Sequence, residues 1–178
     1  MALKGKSFGF TLIELMVTVA VLAITVMVAI PSFQSVIASN QLQEARDRLR
    51  SAIQYAKSEA IGRNETVSMC PSSNGTACGN NSHWNSFWIV VTDGNDTGAV
   101  SVGTLLRVFT APNSSQATVS HSDSQVVFRF TPEGIAPDLN SDVFSFCDPE
   151  GDASPRSMAV DGVTGVVRYG TEAEASCS

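Results

Sequence analysis

The chain has 178 residues, about one domain's worth and enough for a single sizeable core. Its 43% hydrophobic content excludes wholesale disorder, while a charged content of only 16% leaves part of the chain unsuited to be a soluble surface. Eleven Lys+Arg against 17 Asp+Glu give a net charge of −6, the wrong sign for a general nucleic-acid binder, and two His leave little room for a His-rich metal site.

The apolar residues concentrate at the start. From Phe8 to Ile30 only Gly9, Thr11, Glu14, Thr18 and Thr25 interrupt an apolar run. As a helix, residues 10–30 would span about 30 Å, the thickness of a bilayer's hydrocarbon core. The preceding segment carries Lys4 and Lys6 and no acid, which places Met1 in the cytoplasm and the remainder outside by the positive-inside rule. The run is too long for a secretory signal's apolar core, and no A-x-A cleavage site follows it. A plain signal anchor fits the length but gives no reason for Glu14. A charge deep in a membrane helix costs roughly 2.5–3.5 kcal/mol on insertion scales and marks a functional site.

Gly9-Phe10-Thr11-Leu12-Ile13-Glu14, behind a short basic leader, resembles the class III signal of type IV pilins and type II secretion pseudopilins, a likeness running from Lys4 to Pro31. The resemblance implies a leader at 1–9, removed when a prepilin peptidase cuts between Gly9 and Phe10, and N-methylation of Phe10. It implies a bacterial inner-membrane protein, single-pass, with a cytoplasmic amino terminus and a periplasmic head that reaches the pilus or cell surface on assembly. After cleavage Phe10 would carry an ammonium and Glu14 a carboxylate in one apolar layer, each costly alone. Four residues apart on one helix face, Glu14 could reach its own ammonium or that of an adjacent subunit. Geometry does not choose between them; the resemblance implies docking on a neighbouring pilin.

Pro31 follows the transmembrane segment 10–30 and is expected to kink or locally melt the helix. Beyond it, in 31–63, Phe33, Val36, Ile37, Leu42, Ala45, Leu49, Ala52, Ile53, Ala56 and Ala60 recur mostly at spacings of three and four, an amphipathic pattern. The charges from Glu44 to Arg50 read as its solvated face, and Gly62 and Asn64 as stop signals.

From residue 64 to 178 the period becomes two. Segments 66–70, 87–91, 104–109, 126–130, 143–146, 158–160 and 165–169 read as short strands, separated by turn clusters at 93–98, 132–134 and 161–162. Residues 71–86, rich in Ser, Asn and Gly, read as a loop. The fold class is therefore α+β: a long amino-terminal helix on an antiparallel β-rich head.

Four cysteines allow two disulfides and three connectivities. Local pairing, Cys70 with Cys78 and Cys147 with Cys177, is favoured. The first pair flanks a turn-rich loop and the second would pin a tail that otherwise frays. Loops of these lengths correspond to roughly 2.5 and 3.5 kcal/mol of stabilisation. A zinc site on the same cysteines lacks the usual CxxC knuckles.

Val67-x-Met69-Cys70-Pro71, Cys78, Trp84, Phe87-Trp88-Ile89-Val90-Val91, Asp93, Leu105-Leu106-Arg107, Phe130-x-Pro132-x-Gly134 and Phe146-Cys147 are together similar to the minor pilins and pseudopilins of the GspH/FimT/FimU type. The resemblance implies a β-sandwich-like head packed on the helix. Members initiate a type IV pilus near its tip, join the type II secretion pseudopilus, or bind DNA for uptake. The DNA-binding members carry a Gly-Arg-x-Arg motif near the carboxyl end. Here Gly165-Val166-Val167-Arg168 keeps one Arg of the two, before an acidic tail, Thr171-Glu172-Ala173-Glu174. No nucleic-acid partner is therefore expected.

Asp93, Asn95 and Asp96 could ligate calcium, but Asp-Gly flanked by Asn and Gly is an ordinary hairpin turn. His83 and His121 have no nucleophile beside them in any recognisable pattern, so neither an enzyme nor a cofactor is expected. The N-x-S/T triplets at Asn64, Asn74, Asn80, Asn95 and Asn113 are common by chance in a Ser/Asn-rich chain. The expected function is that of a minor type IV pilin that helps initiate pilus assembly and supports twitching motility or adhesion, with other major and minor pilins as partners. The alternatives are a type II secretion pseudopilin and, behind it, a DNA-uptake pilin.

Overall fold

The computed structural model describes residues 9–79, 84–92, 103–113, 116–122 and 127–177. Residues 1–8 of the leader, His83 and the Asp93–Gly98 turn lie outside these.

One helix, α1 (Leu12–Arg63), accounts for 52 residues, a rod of about 78 Å at the α-helical rise. It runs unbroken through Pro31, so the expected local melting does not occur. Proline deletes one N–H from the ladder, and helix propagation on both sides outweighs the loss of a single bond. Gly62 does not stop the helix either. The stop is Asn64, at φ 53° and ψ 41°, a left-handed conformation that Asn tolerates. It lets the N–H of Asn64 reach Ile61 O and that of Glu65 reach Ala60 O, satisfying last-turn carbonyls. Arg63 closes on Glu59 one turn back, and this guanidinium holds the Glu59 carboxyl below its ordinary value.

Among the described residues the head is two four-stranded antiparallel sheets. Strands β1 (Val67–Ser72), β2 (Phe87–Thr92), β3 (Leu105–Thr110) and β5 (Phe128–Phe130) form the first, in the order β3-β2-β1-β5. Strands β4 (Thr118–His121), β6 (Asn140–Cys147), β7 (Arg156–Asp161) and β8 (Val167–Tyr169) form the second, in the order β4-β6-β7-β8. Pro71 sits inside β1 without breaking it, because β5 pairs only with Val67–Met69. Beyond that no strand of the described residues pairs on this edge of β1; Gly79 N–H donates to Pro71 O there (2.8 Å), and the missing Pro71 donor costs no ladder bond.

The carboxyl half of α1 contributes Leu42, Ala45, Leu49, Ala52, Ile53, Ala56 and Ala60 to one core with Met69, Trp88, Phe128, Phe130, Phe144 and Phe146. Four of the seven helix positions are alanine, which lets the helix lie close on the sheets. Trp84, Phe128 and Phe144 form an aromatic cluster with centroids 5.1–5.5 Å apart. His121 packs at its edge, 5.0 Å from Phe128 and 4.6 Å from Phe144.

Both cysteine pairs are disulfides, Cys70–Cys78 and Cys147–Cys177, with Cα separations of 5.6 and 5.8 Å. Each pins a flap. The first closes the loop after β1, where Cys70, Ile89 and Val91 make a second small apolar cluster with Cys78 and Val127. The second fixes the carboxyl tail over β6 and β7. There Ser176 N–H donates to Ser145 Oγ (2.9 Å) and Ser157 Oγ to Thr171 O (2.6 Å), so both serines are buried yet paired.

Candidate assembly surface

The amino-terminal turn is built by its own sequence. Thr11, extended at φ −82° and ψ 151°, caps α1, its Oγ1 accepting the N–H of Glu14 at 3.3 Å. Thr-x-x-Glu is a helix-start signature, and an acid at the third helical position also suits the positive end of the helix dipole. This role of Thr11 was readable in the sequence and lies hidden beneath the peptidase-type motif. Gly9 and Phe10 precede the helix in non-helical backbone. In the unprocessed chain Phe10 N is a peptide nitrogen, so the ammonium partner of Glu14 does not yet exist. Among the described residues the Glu14 carboxylate has no hydrogen bond or ion pair, and from Phe10 to Gln43 it is the single charge.

Among the described residues nothing covers the apolar half of α1. Every described large apolar side chain from Phe10 to Ile37 is at least 44% exposed, Val26 being the least and Phe10 (82%) the most. Seventeen such side chains on a rod cannot be satisfied by water, since each would gain roughly 1.5–3 kcal/mol on burial. The hydroxyls on this segment are turned inward: Thr18 donates to Leu15 O, Thr25 to Val21 O and Ser32 to Val28 O. A helix that pairs its own polar groups in this way is suited to an apolar environment.

The charged stripe expected to be a solvated face is only partly so. Arg48 makes an exposed pair with Glu44. Arg46 and Arg50 instead lie over the Tyr169 ring of β8, at 4.0 and 5.1 Å from its centroid. The Tyr169 hydroxyl donates to Asp47 Oδ1 (2.8 Å) and accepts from Arg50 (2.7 Å). These contacts fasten the helix to the second sheet, with Arg156 donating to Ser39 and Lys57 to Thr164 O on either side. Nothing in the local sequence marks Tyr169, because its partners lie about 120 residues away. Arg168 is bound in two hydrogen bonds by Glu174, both 3.2 Å. Arg168 and the N–H of Thr171 in turn hold the Glu174 carboxyl below its ordinary value.

Residues 4–30 match the family model described as the prokaryotic N-terminal methylation motif, and residues 45–165 match that described as type II transport protein GspH. No curated protein matches the sequence. Among solved structures the chain is similar to the type IV minor pilin FimU of Pseudomonas aeruginosa (strain PAO1) in two crystal forms. One gives a TM-score of 0.60 at 19% identity over 79% of this chain and 96% of that one. The other gives 0.55 at 17% identity over 76% and 98%. At such identities the likeness concerns the fold, an α+β pilin fold. With a prepilin-type methylation motif at its start and a GspH match over most of its length, the chain belongs to the GspH family of pilin-like proteins, the minor pilins and pseudopilins.

Proposed function

We propose that the chain is a minor type IV pilin, an assembly subunit present in few copies that helps start a filament near its tip and acts without catalysis. The observation that carries the reading is the uncovered apolar half of α1 with Glu14 as its one charge. Before assembly the bilayer covers that half, with the head in the periplasm. In the filament, helices of other pilins replace the lipid. Prepilin peptidase cuts between Gly9 and Phe10 and the new amino terminus is methylated, which takes the formal charge from −6 to −8 through loss of Lys4 and Lys6. Glu14 then receives the ammonium of a neighbouring subunit, so that two costly charges in an apolar layer neutralise each other.

A DNA receptor is disfavoured by charge. Arg168 is tied to Glu174, Arg48 to Glu44, and Arg46 and Arg50 to Tyr169 and its surroundings. A chain this acidic has little to offer a phosphate backbone. The second reading is a type II secretion pseudopilin, favoured by the description of the family matched over residues 45–165.

Deleting the gene separates the two. The pilin reading expects surface filaments to fall sharply while the major subunit is still made. Normal filaments with a lost secretion phenotype would establish the pseudopilin reading, and normal filaments with lost DNA uptake the receptor.

A further inference from the structure

A groove of about 740 Å³ runs between α1 and β3, with Asn40, Gln43 and Ser51 on the helix wall and Arg107, Val108 and Thr110 on the strand wall. Among the described residues β3 is the outer strand of its sheet, paired only with β2, and the longest of the four edge strands, at six residues. Its register fixes which main-chain groups are spent. Ala111 N–H donates to Ser86 O, and the pairs Phe109↔Trp88 and Arg107↔Val90 continue the same alternation. Phe109 and Arg107 therefore exchange bonds with β2, while the N–H and C=O of Val108 and Thr110 point away from the sheet. Among the described residues nothing pairs with them.

Edge strands are normally blunted by a charge, a proline or a cover. The one charge on β3, Arg107, does not guard the edge. It is laid over Tyr55 and Phe109, at 5.1 and 4.9 Å from their centroids, and Tyr55 meets Phe109 edge-on at 5.7 Å. These contacts tie the strand to the helix. Val108 remains 41% exposed beside the open edge. The opposite wall mixes the amides of Asn40 and Gln43 and the hydroxyl of Ser51 with the charged Glu44, Asp47 and Arg48, polar groups that can bond the second edge of an inserted strand. The groove lies along the six residues of β3, which at about 3.4 Å per residue offer roughly 20 Å of edge to an added strand.

We propose that this groove receives an extended segment from the head of a neighbouring pilin subunit, which adds as a strand to β3 and joins the two heads as the helices join the stalks. The occupant is a main chain because only a main chain presents donors and acceptors at the repeat that Val108 and Thr110 offer. A free helix could not satisfy them, since its own groups are paired internally. The proposal rests on the assembly reading above.

The test uses the full-length chain in cells that make the filament, with a benzoylphenylalanine photo-crosslinker in place of Thr110 or, separately, of Val21 in the apolar helix. The expected result at Thr110 is a crosslink to another subunit bearing a prepilin methylation motif, mapped by mass spectrometry to an extended segment of its head. Val108→Pro removes an outward N–H while leaving the bonds to β2, a placement that edge strands tolerate. It should lower that crosslink about tenfold, as expected for losing a hydrogen bond and its neighbours' alignment. Val108→Thr keeps the N–H and should retain it. Thermal unfolding of the purified variants monitors the fold. Crosslinks at Val21 with none at Thr110, crosslinks at Thr110 that map to a helix or to no pilin, or an undiminished yield in Val108→Pro would each overturn the strand addition alone. Absence of crosslinks at both positions would overturn the assembly reading itself.

Discussion

The two halves of α1 are one unbroken helix with opposite fates. From Leu42 onward every third or fourth residue is fully buried on the chain's own sheets. From Phe10 to Ile37 not one large apolar side chain is. The carboxyl half is finished by folding; the amino half is finished only by something outside the chain. Polar chemistry follows the same division. The carboxyl half answers its charges within the chain, as with Arg63–Glu59 or Arg46 and Arg50 on Tyr169, whereas Glu14 has no partner among the described residues. A subunit that must remain stable alone and yet polymerise needs this separation, because the stability of the head then does not depend on assembly.

The contrast can be broken by equivalent truncations in the two regions. Phe128→Ala removes a ring stacked on Trp84 and edge-on to Phe144, and should cost about 3–5 kcal/mol of head stability. Val21→Ala should leave the unfolding of the head unchanged, because Val21 touches nothing that folding buries. Chemical denaturation of the two variants checks both, and a comparable loss at Val21 would join the two halves energetically.

A smaller effect concerns what keeps the head closed. Replacing Cys147 and Cys177 with serine should cost roughly 3.5 kcal/mol, and replacing Cys70 and Cys78 about 2.5 kcal/mol. The former pair should also expose the tail from Gly170 onward to protease, since Cys177 is its last covalent hold. Limited proteolysis followed by mass spectrometry reads this directly.

The smallest effect is electrostatic. Arg168 and the Thr171 N–H lower the pKa of Glu174 in the folded state, so the folded protein prefers the carboxylate. That stabilisation is complete above the ordinary glutamate pKa and disappears as pH falls through the lowered one. Glu174→Gln should therefore lower stability slightly at neutral pH, flatten the acid limb, and converge with the unsubstituted chain at low pH. Thermal melts between about pH 3 and 7 test the sign.

Much of this was legible in the sequence, and the exceptions share a cause. The apolar run, the amphipathic continuation and seven strands announce themselves through local periodicity. β4 escaped because Thr118-Val119-Ser120-His121 has a single aliphatic residue, and its place is set by pairing with β6. β6 begins at Asn140, three residues before its apolar part, because β7 supplies partners that propensity does not foresee. Local melting at Pro31 is overridden by helix on both sides, and of the two stop signals Gly62 and Asn64 it is Asn64 that ends the helix. At the candidate surface the apolar run and its lone Glu14 are visible in the sequence, and the Gly9–Glu14 motif is legible through its resemblance to the prepilin signal. Tyr169 and the open edge of β3 depend on contacts across most of the chain, which no local pattern contains.

The central claim is that the amino half is completed by other subunits through Glu14. The direct measurement is the content of Glu14→Ala chain in sheared filaments, normalised to its level in the membrane fraction, with the mass of its amino terminus determined in parallel. The account predicts normal membrane insertion, an amino terminus at N-methylated Phe10, and filament content lowered by about tenfold or more, as expected when a buried ammonium loses its counter-charge. Wild-type content in the filaments would contradict it.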